Sequence, residues 1–181
     1  PLYYAHNLYL NEALITELVI PEGITQIKNN TFIGCELLSV NIPNSIVSIG
    51  KSAFEYCRGI TSISIPNSVE NIDDRAFKSC NGLVSINISE SVTNISESAF
   101  DYCSGLESIT VNQLNQTYKS EDNCSLTKDG STLLLGCKNS NIPNGVTRIG
   151  NIAFRGCSGM ISIVIPASVK SIANNAFDDC T

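Results

Sequence analysis

The chain has 181 residues, a net charge of −6 and no cluster of lysine or arginine. Such a chain repels phosphate backbones and anionic lipid, so we expect neither nucleic acid nor a membrane surface as a partner. No segment approaches the roughly 18 consecutive apolar residues of a spanning helix, and we expect no membrane insertion. The sequence begins at Pro1 without a signal peptide, and we interpret it as a piece of a longer protein.

The first irregular unit covers residues 1–35 and opens with a candidate β-hairpin. In NLYLNEALITELVIP, the dipeptide Asn11-Glu12 lies between two short apolar runs and predicts the turn, although glutamate is uncommon at positive φ. His6, the one histidine of the sequence, lies beside this hairpin. It has no nearby partner for metal binding or proton transfer, so we predict a surface residue.

An internal repeat of about 23 residues organises the chain. The six phenylalanines lie 22, 23, 23, 54 and 23 residues apart, and a cysteine follows each of them by three positions. These pairs are Phe32 and Cys35, Phe54 and Cys57, Phe77 and Cys80, Phe100 and Cys103, Phe154 and Cys157, and Phe177 and Cys180. A fixed period of this length is typical of a solenoid, in which each unit buries its apolar face against its neighbours.

One nearly complete unit, ITSISIPNSVENIDDRAFKSCNG, begins at Ile60 and predicts the path of a coil. Its alternating isoleucines indicate a strand, which Pro66 ends because proline has no N–H to donate. Two β-branched residues then indicate a second extended segment. Ala76, Phe77 and Cys80 have the spacing of a single helical turn. We therefore predict parallel β ladders with short helical turns, in one domain over residues 1–181 with about seven to eight units of 22–23 residues.

The motifs Ile-Pro-Asn-Ser-Val at residues 65–69 and Ala-Phe-x-x-Cys at residues 76–80 resemble those of the BspA-like, or Treponema-type, leucine-rich repeats. This resemblance covers nearly the whole chain. It implies a right-handed leucine-rich repeat solenoid, no catalytic residues, and adhesion to host or matrix proteins from an extracellular or cell-surface position. Two departures from the pattern are Ser89 in place of the proline and Ser140 in place of an inward apolar residue.

A second irregular unit covers residues 106–142, where the separation of phenylalanines exceeds two periods by eight residues. Asp129-Gly130 between Leu126 and Leu133 predicts a second hairpin. We expect its projection to offer partner contacts at Tyr118, Lys128 and Asp129. Cys137 is predicted in the core slot that Ile60 and Leu83 fill in other units, and the role of Cys124 stays open.

The eight cysteines allow two interpretations. Their phase beside buried phenylalanines favours small apolar core residues with free thiols, but neighbouring coils would also bring sulfur atoms within reach of disulfide formation. No histidine lies near Cys124 or Cys137, and Asp129 lacks the alternating oxygen donors of a calcium loop, so we predict no metal and no cofactor. Five glycosylation sequons, that of Asn115 among them, are expected by chance in so asparagine-rich a chain.

The outward strand positions predict a flat and nearly uncharged binding face. Its positions are Ser39, Asn41, Ser62, Ser64, Ser85, Asn87, Ser108 and Thr110. We predict a protein-binding or adhesion module, with a passive spacer in a long surface array as the alternative. An enzyme acting on extracellular polymers is a remote alternative, because no nucleophile, base and metal constellation is present. We also expect end-to-end self-association through uncapped coils.

Overall fold

In the computed structural model, which describes residues 8–181, the chain winds into a parallel β-solenoid of about seven turns. A regular coil contributes two short strands that pair with the same strands of the next coil. The strands are β1 Tyr9–Leu10, β2 Ala13–Leu14, β3 Glu17–Val19, β4 Gln26–Ile27, β5 Ser39–Asn41, β6 Ser48–Ile49, β7 Ser62–Ser64, β8 Asn71–Ile72, β9 Ser85–Ile88, β10 Asn94–Ile95, β11 Ser108–Val111, β12 Tyr118–Glu121, β13 Cys124–Thr127, β14 Thr132–Leu135, β15 Arg148–Ile149 and β16 Ser171–Ile172.

The first strand of each coil forms the predicted face ladder. β3 pairs with β5, and β7, β9 and β11 form a three-stranded parallel sheet in which Ile63, Ile86 and Ile109 lie in register. All three isoleucines are buried. Successive side chains of a strand point to opposite faces, so the serines that precede these isoleucines point outward.

The second strand of each coil forms the other ladder. β4, β6, β8 and β10 pair in parallel with Ile27, Ile49, Ile72 and Ile95 in register. β15 and β16 continue this arrangement beyond the irregular unit, where β15 pairs with β14 and β16 pairs with β15. Because each β-branched side chain stacks on its equivalent in the next coil, the apolar core runs along the length of the stack.

The segment predicted as a single helical turn is a run of hydrogen-bonded turns, and no helix occurs in residues 8–181. In the coil of Phe54, alternate amides bond locally, as in Ala53 N–H to the carbonyl of Gly50 at 3.1 Å. The amides between them leave the coil: Phe54 N–H donates to the carbonyl of Ala76 at 2.8 Å. An isolated helical turn is unfavourable, and these bonds between coils satisfy the backbone instead.

The regularly spaced phenylalanines form a ladder of stacked rings. The rings of Phe32, Phe54, Phe77 and Phe100 stack with centroids 5.2 to 5.3 Å apart, and Phe154 stacks on Phe177 at 5.0 Å. The core consists of two clusters, one around each phenylalanine stack, and the irregular unit contributes residues to both. Offset aromatic stacking adds to the apolar burial that holds neighbouring coils together.

The cysteines form a second ladder beside the phenylalanines. Cys57 Sγ donates to the carbonyl of Phe32 at 2.9 Å, and Cys80 Sγ repeats this contact with the carbonyl of Phe54 at 3.1 Å. Burial raises the pKa of the Cys57 thiol to about 12, which keeps it neutral. All eight cysteines are free thiols. A thiol suits this slot because it is small and apolar, yet donates weakly to a carbonyl.

The predicted first hairpin is present. β1 and β2 are antiparallel, and the turn residues Asn11 and Glu12 have φ of 50° and 68°. Two positive values are typical of a type I′ turn, whose twist matches that of the flanking strands. His6 lies outside the described residues.

We expect Phe77→Ala to lower the free energy of unfolding by roughly 3–5 kcal/mol, because it removes a buried ring that stacks on both sides. Equilibrium urea denaturation measures this loss. The control Ser64→Ala changes an exposed strand residue and should stay within about 0.5 kcal/mol. A loss below about 1 kcal/mol for Phe77→Ala would contradict the ladder as the basis of the core.

Candidate functional site

The predicted binding face consists of two rows of short polar side chains. Ser62, Ser85 and Ser108 lie in register across β7, β9 and β11, and Ser64, Asn87 and Thr110 form the second row. Seven of the eight predicted positions are exposed, and Ser108 is half-buried. Thr110 Oγ1 donates to Asn87 Oδ1 at 3.3 Å. The face is therefore flat, uncharged and rich in hydrogen-bonding groups.

The face ladder ends at β11. No face strand forms in residues 139–141 or 162–164, although the 23-residue phase continues. In the coil of Cys137, Ser140 N–H donates to the carbonyl of Cys137 at 3.0 Å, as Leu83 N–H does to the carbonyl of Cys80. Cys137 thus takes the position of a ladder cysteine, which corrects its predicted placement in the slot of Leu83. The segment from Cys137 to Pro143 is three residues shorter than the equivalent segment from Cys80 to Ser89.

The irregular unit contains two hairpins, where the sequence predicted one. β12, β13 and β14 form an antiparallel meander, and Leu126 pairs with Leu133 across the predicted Asp129-Gly130 loop. The other turn, at Asp122-Asn123, has φ of 51° and 59°. In the sequence, the pair Asp122-Asn123 between two short alternating segments indicates this turn.

Asp129 is exposed and serves the loop itself. Its Oδ1 accepts a hydrogen bond from Thr127 Oγ1 at 2.6 Å and another from the Ser131 amide at 3.0 Å. The hydrogen bond from the Thr127 hydroxyl, and to a smaller extent those from Ser131, lower the pKa of the Asp129 carboxyl below its usual value. The carboxylate therefore closes the turn as well as facing solvent.

Tyr118 is buried rather than projecting, which removes it from the predicted contact surface. It lies one 23-residue step after Ile95 in the sequence, although its strand β12 belongs to a different sheet from β10. Its hydroxyl accepts a hydrogen bond from Ile95 N–H at 3.0 Å and donates to the carbonyl of Thr93 at 3.3 Å. The Tyr118 hydroxyl thus makes the hydrogen bonds that a peptide group of a further coil would make with the edge of β10.

Asn115 is a second buried polar residue that the sequence reasoning missed, and it follows Val92 by the same 23 residues. Its Nδ2 donates to the carbonyls of Ser89 and Val92 at 2.8 and 2.9 Å, and its Oδ1 accepts from the Tyr118 amide at 2.8 Å. Lys128 Nζ donates to the carbonyl of Asn115. These bonds fix the start of the meander onto the preceding coil.

Cys124 and Ser140 hold the other end of the meander. The Cys124 side chain is fully buried in the second core cluster, and burial raises its pKa to about 12. Ser140 Oγ donates to the carbonyl of Asn123 at 2.6 Å and accepts from the Cys137 amide at 2.8 Å. Ser140 therefore joins the Asp122-Asn123 turn to the next coil, where an apolar residue could not.

An ion pair bridges the irregular unit on the turn side. The carboxylate of Asp101 is 0% exposed. It accepts one hydrogen bond from Arg155 Nε at 2.6 Å and a second from Arg155 Nη2. Lys78 Nζ lies 3.5 Å from the same carboxylate. The guanidinium also lies 5.1 Å from the centroid of the Tyr102 ring. A bidentate guanidinium compensates for the desolvation of a buried carboxylate, so the coils of Asp101 and Arg155 are clamped across 54 residues of sequence.

A cleft of about 230 Å³ opens between the last coil before the interruption and the meander. It is lined by Ile88, Ile95, Ser96, Glu97, Phe100, Tyr118, Ser125, Thr127, Leu134 and Leu135. Most of this lining is apolar. No group of three or more His, Cys, Asp or Glu side chains in residues 8–181 is placed to hold a metal ion. The same residues contain no helix long and apolar enough to cross a membrane.

The stacked coils, the two parallel ladders and the polar face define the class as a leucine-rich repeat β-solenoid. Residues 5–127 and 134–181 match the BspA type Leucine rich repeat region in six copies. The chain belongs to this family, as its motifs predicted.

Solved structures share the fold. A leucine-rich repeat protein from Eubacterium ventriosum is 20% identical with a TM-score of 0.71, and the match covers 92% of this chain and 52% of that one. The pneumococcal vaccine antigen PcpA is 19% identical with a TM-score of 0.75, covering 91% and 46%. A leucine-rich cell surface protein from Faecalibacterium prausnitzii is 28% identical with a TM-score of 0.57, covering 92% and 39%.

The chain therefore spans about half the length, or less, of these structural relatives. No curated protein matches it in sequence.

We expect Tyr118→Phe to lower the free energy of unfolding by about 1–3 kcal/mol, because it leaves Ile95 N–H and the Thr93 carbonyl without a partner while the ring is kept. Urea denaturation measures the loss, and hydrogen exchange at the Ile95 amide locates it. Tyr9→Phe, at a tyrosine that is 63% exposed, serves as the control. Unchanged stability and unchanged Ile95 exchange would show that the hydroxyl does not cap the sheet edge.

Proposed function

We propose that this chain is an extracellular or cell-surface protein-binding module that engages a host or matrix protein through its polar strand face. The observation that carries the proposal is the double row of exposed Ser, Asn and Thr side chains in register across the face ladder. Short side chains on paired strands lose little conformational entropy on binding. Each position offers a hydrogen-bond donor or acceptor to an opposing backbone or polar surface.

The composition of the face favours modest affinity that gains from repetition. None of its eight positions carries the Trp, Tyr or Arg that dominate binding hot spots. A partner would instead make many similar polar contacts along the ladder, and multivalent presentation would strengthen them. The surface location is supported by the family and by the cell-surface protein of Faecalibacterium prausnitzii that shares the fold.

The proposal assigns the chain no catalytic activity. Catalytic cysteines are thiolates in exposed, electropositive surroundings, whereas burial raises the pKa of Cys57, Cys103, Cys124 and Cys157 here to about 12. Burial also shields these thiols from oxidants outside the cell. Hydrolysis of an extracellular polymer, the remote alternative, therefore gains no support from the described thiols.

The second candidate is a passive spacer, and the Asp101–Arg155 clamp is the observation that favours it. The clamp joins the coils on either side of the irregular unit, which suits a stiff stalk. End-to-end self-association also stays a prediction. Ile161, Val164 and Ile172 in the last described coils are 100%, 80% and 49% exposed, as stacking of a further coil would require.

We expect binding to a panel of purified matrix and serum proteins to be lost in Ser85→Glu, which places a charge at the centre of the face. Biolayer interferometry against the immobilised panel would show a loss of at least about tenfold in affinity, the effect of one charge left without a partner at an interface. Ser171→Glu makes the same change at an exposed strand residue of the other ladder, and we expect it to bind normally. Absence of binding across the whole panel would favour the spacer.

A further inference from the structure

At the cleft beside the meander, the backbone of a regular coil lacks the hydrogen bonds that a following coil would make. In regular coils the carbonyl of the second-strand isoleucine accepts a hydrogen bond from an amide of the next coil. The Ile72 carbonyl, for example, accepts one from Ser96 N–H at 2.9 Å. The amide of the ladder phenylalanine donates to the next coil, as Phe77 N–H does to Ala99 at 2.8 Å. Both bonds recur from coil to coil in the first stack.

Ile95 and Phe100 occupy these positions in the last coil before the meander. The Tyr118 hydroxyl accepts the hydrogen bond of the Ile95 amide. β10 is an edge strand of its sheet, and no residue of a following coil among residues 8–181 bonds to the Ile95 carbonyl or the Phe100 amide. Both residues line the cleft. The cleft therefore combines an open backbone acceptor and an open backbone donor with apolar walls.

We propose that this cleft binds an extended peptide segment of a partner protein, with one apolar side chain inserted and the peptide backbone bonded to the Ile95 carbonyl and the Phe100 amide. Unpaired strand groups recruit extended chains by adding a strand at a sheet edge. A free fatty chain would fill the apolar walls but would leave both backbone groups unsatisfied, so a peptide is the better match. The inference rests on the proposed protein-binding function and adds a second contact to the strand face.

The size and charge of the cleft define the peptide further. A volume of about 230 Å³ is below the roughly 300–1,000 Å³ of pockets for drug-sized ligands, and suits one side chain of the size of leucine or phenylalanine. Glu97 lies at the cleft and is held by Asn151 Nδ2, 3.0 and 3.1 Å from its two carboxylate oxygens. With the chain at −6 overall, residues flanking the apolar anchor should be neutral or basic.

The test uses blocked pentapeptides, acetyl-Lys-Thr-X-Thr-Lys-amide, titrated into the isotopically labelled chain and followed by the backbone amide signals. With X as leucine, we expect saturable shifts at Ile95, Phe100 and Leu135. With X as aspartate, or with the amide of X methylated, affinity should fall by at least about tenfold, because the apolar anchor or the backbone donor is lost.

Two variants separate a filled cleft from a damaged fold. Ser96→Leu narrows the cleft and should abolish peptide binding. Ala173→Leu introduces leucine at the equivalent position of the last coil, away from the cleft, and should leave peptide binding intact. Both amides make the equivalent bond to the preceding coil, at 2.9 Å. A thermal melt checks that each variant is folded.

The outcomes are decisive in either direction. Saturable binding that requires leucine at X and is lost in folded Ser96→Leu supports the site. No saturable shift for any peptide, or binding that survives in Ser96→Leu, overturns it. The peptides do not probe the strand face, so their failure leaves the loss of partner binding in Ser85→Glu as a separate test of the proposed function.

Discussion

The structure depends on one constraint: the backbone groups that point out of a coil must be met by the next coil. Buried N–H and C=O groups without partners are costly, and a solenoid satisfies them by repeating the same path at the same register. The 23-residue period of the sequence reflects this requirement. It places phenylalanine over phenylalanine, isoleucine over isoleucine and thiol beneath carbonyl, so packing and hydrogen bonding share one register.

The irregular unit shows how the constraint is met where repetition stops. Side chains replace missing peptide groups: the Tyr118 hydroxyl serves the edge of β10, and the Asn115 amide serves the carbonyls of Ser89 and Val92. The Asp101–Arg155 pair then ties the two stacks together. The replacement is incomplete at the Ile95 carbonyl and the Phe100 amide, and the cleft lies there. Function at this site thus follows from the same requirement that builds the core.

Much of this architecture could be predicted from the sequence, because the period alone determines which residues are neighbours. The phenylalanine and cysteine ladders and the eight face positions follow from it, and turn chemistry identified Asn11-Glu12 and Asp129-Gly130. The same phase would also have placed Tyr118 after Ile95, but its position near a predicted hairpin drew attention to the surface instead.

Other features were beyond local patterns. The helical turn predicted from Ala76, Phe77 and Cys80 was wrong because side-chain spacing carries no information on whether an amide bonds within its coil or to the next one. The Asp101–Arg155 pair joins residues 54 positions apart across an insertion, and no spacing rule connects them. The cleft likewise exists only once the meander and the preceding coil are in place.

The requirement that each coil satisfy the backbone of its neighbour can be tested by residue-resolved hydrogen exchange across a denaturant series, through the amides of Phe77 and Phe100. Both side chains are buried, but only the Phe77 amide is bonded to a following coil. We predict that Phe77 exchanges through global unfolding, with a rate that rises with denaturant, and that Phe100 exchanges faster by local fluctuation with little dependence on denaturant. Equal protection and equal denaturant dependence of the two amides would contradict this requirement.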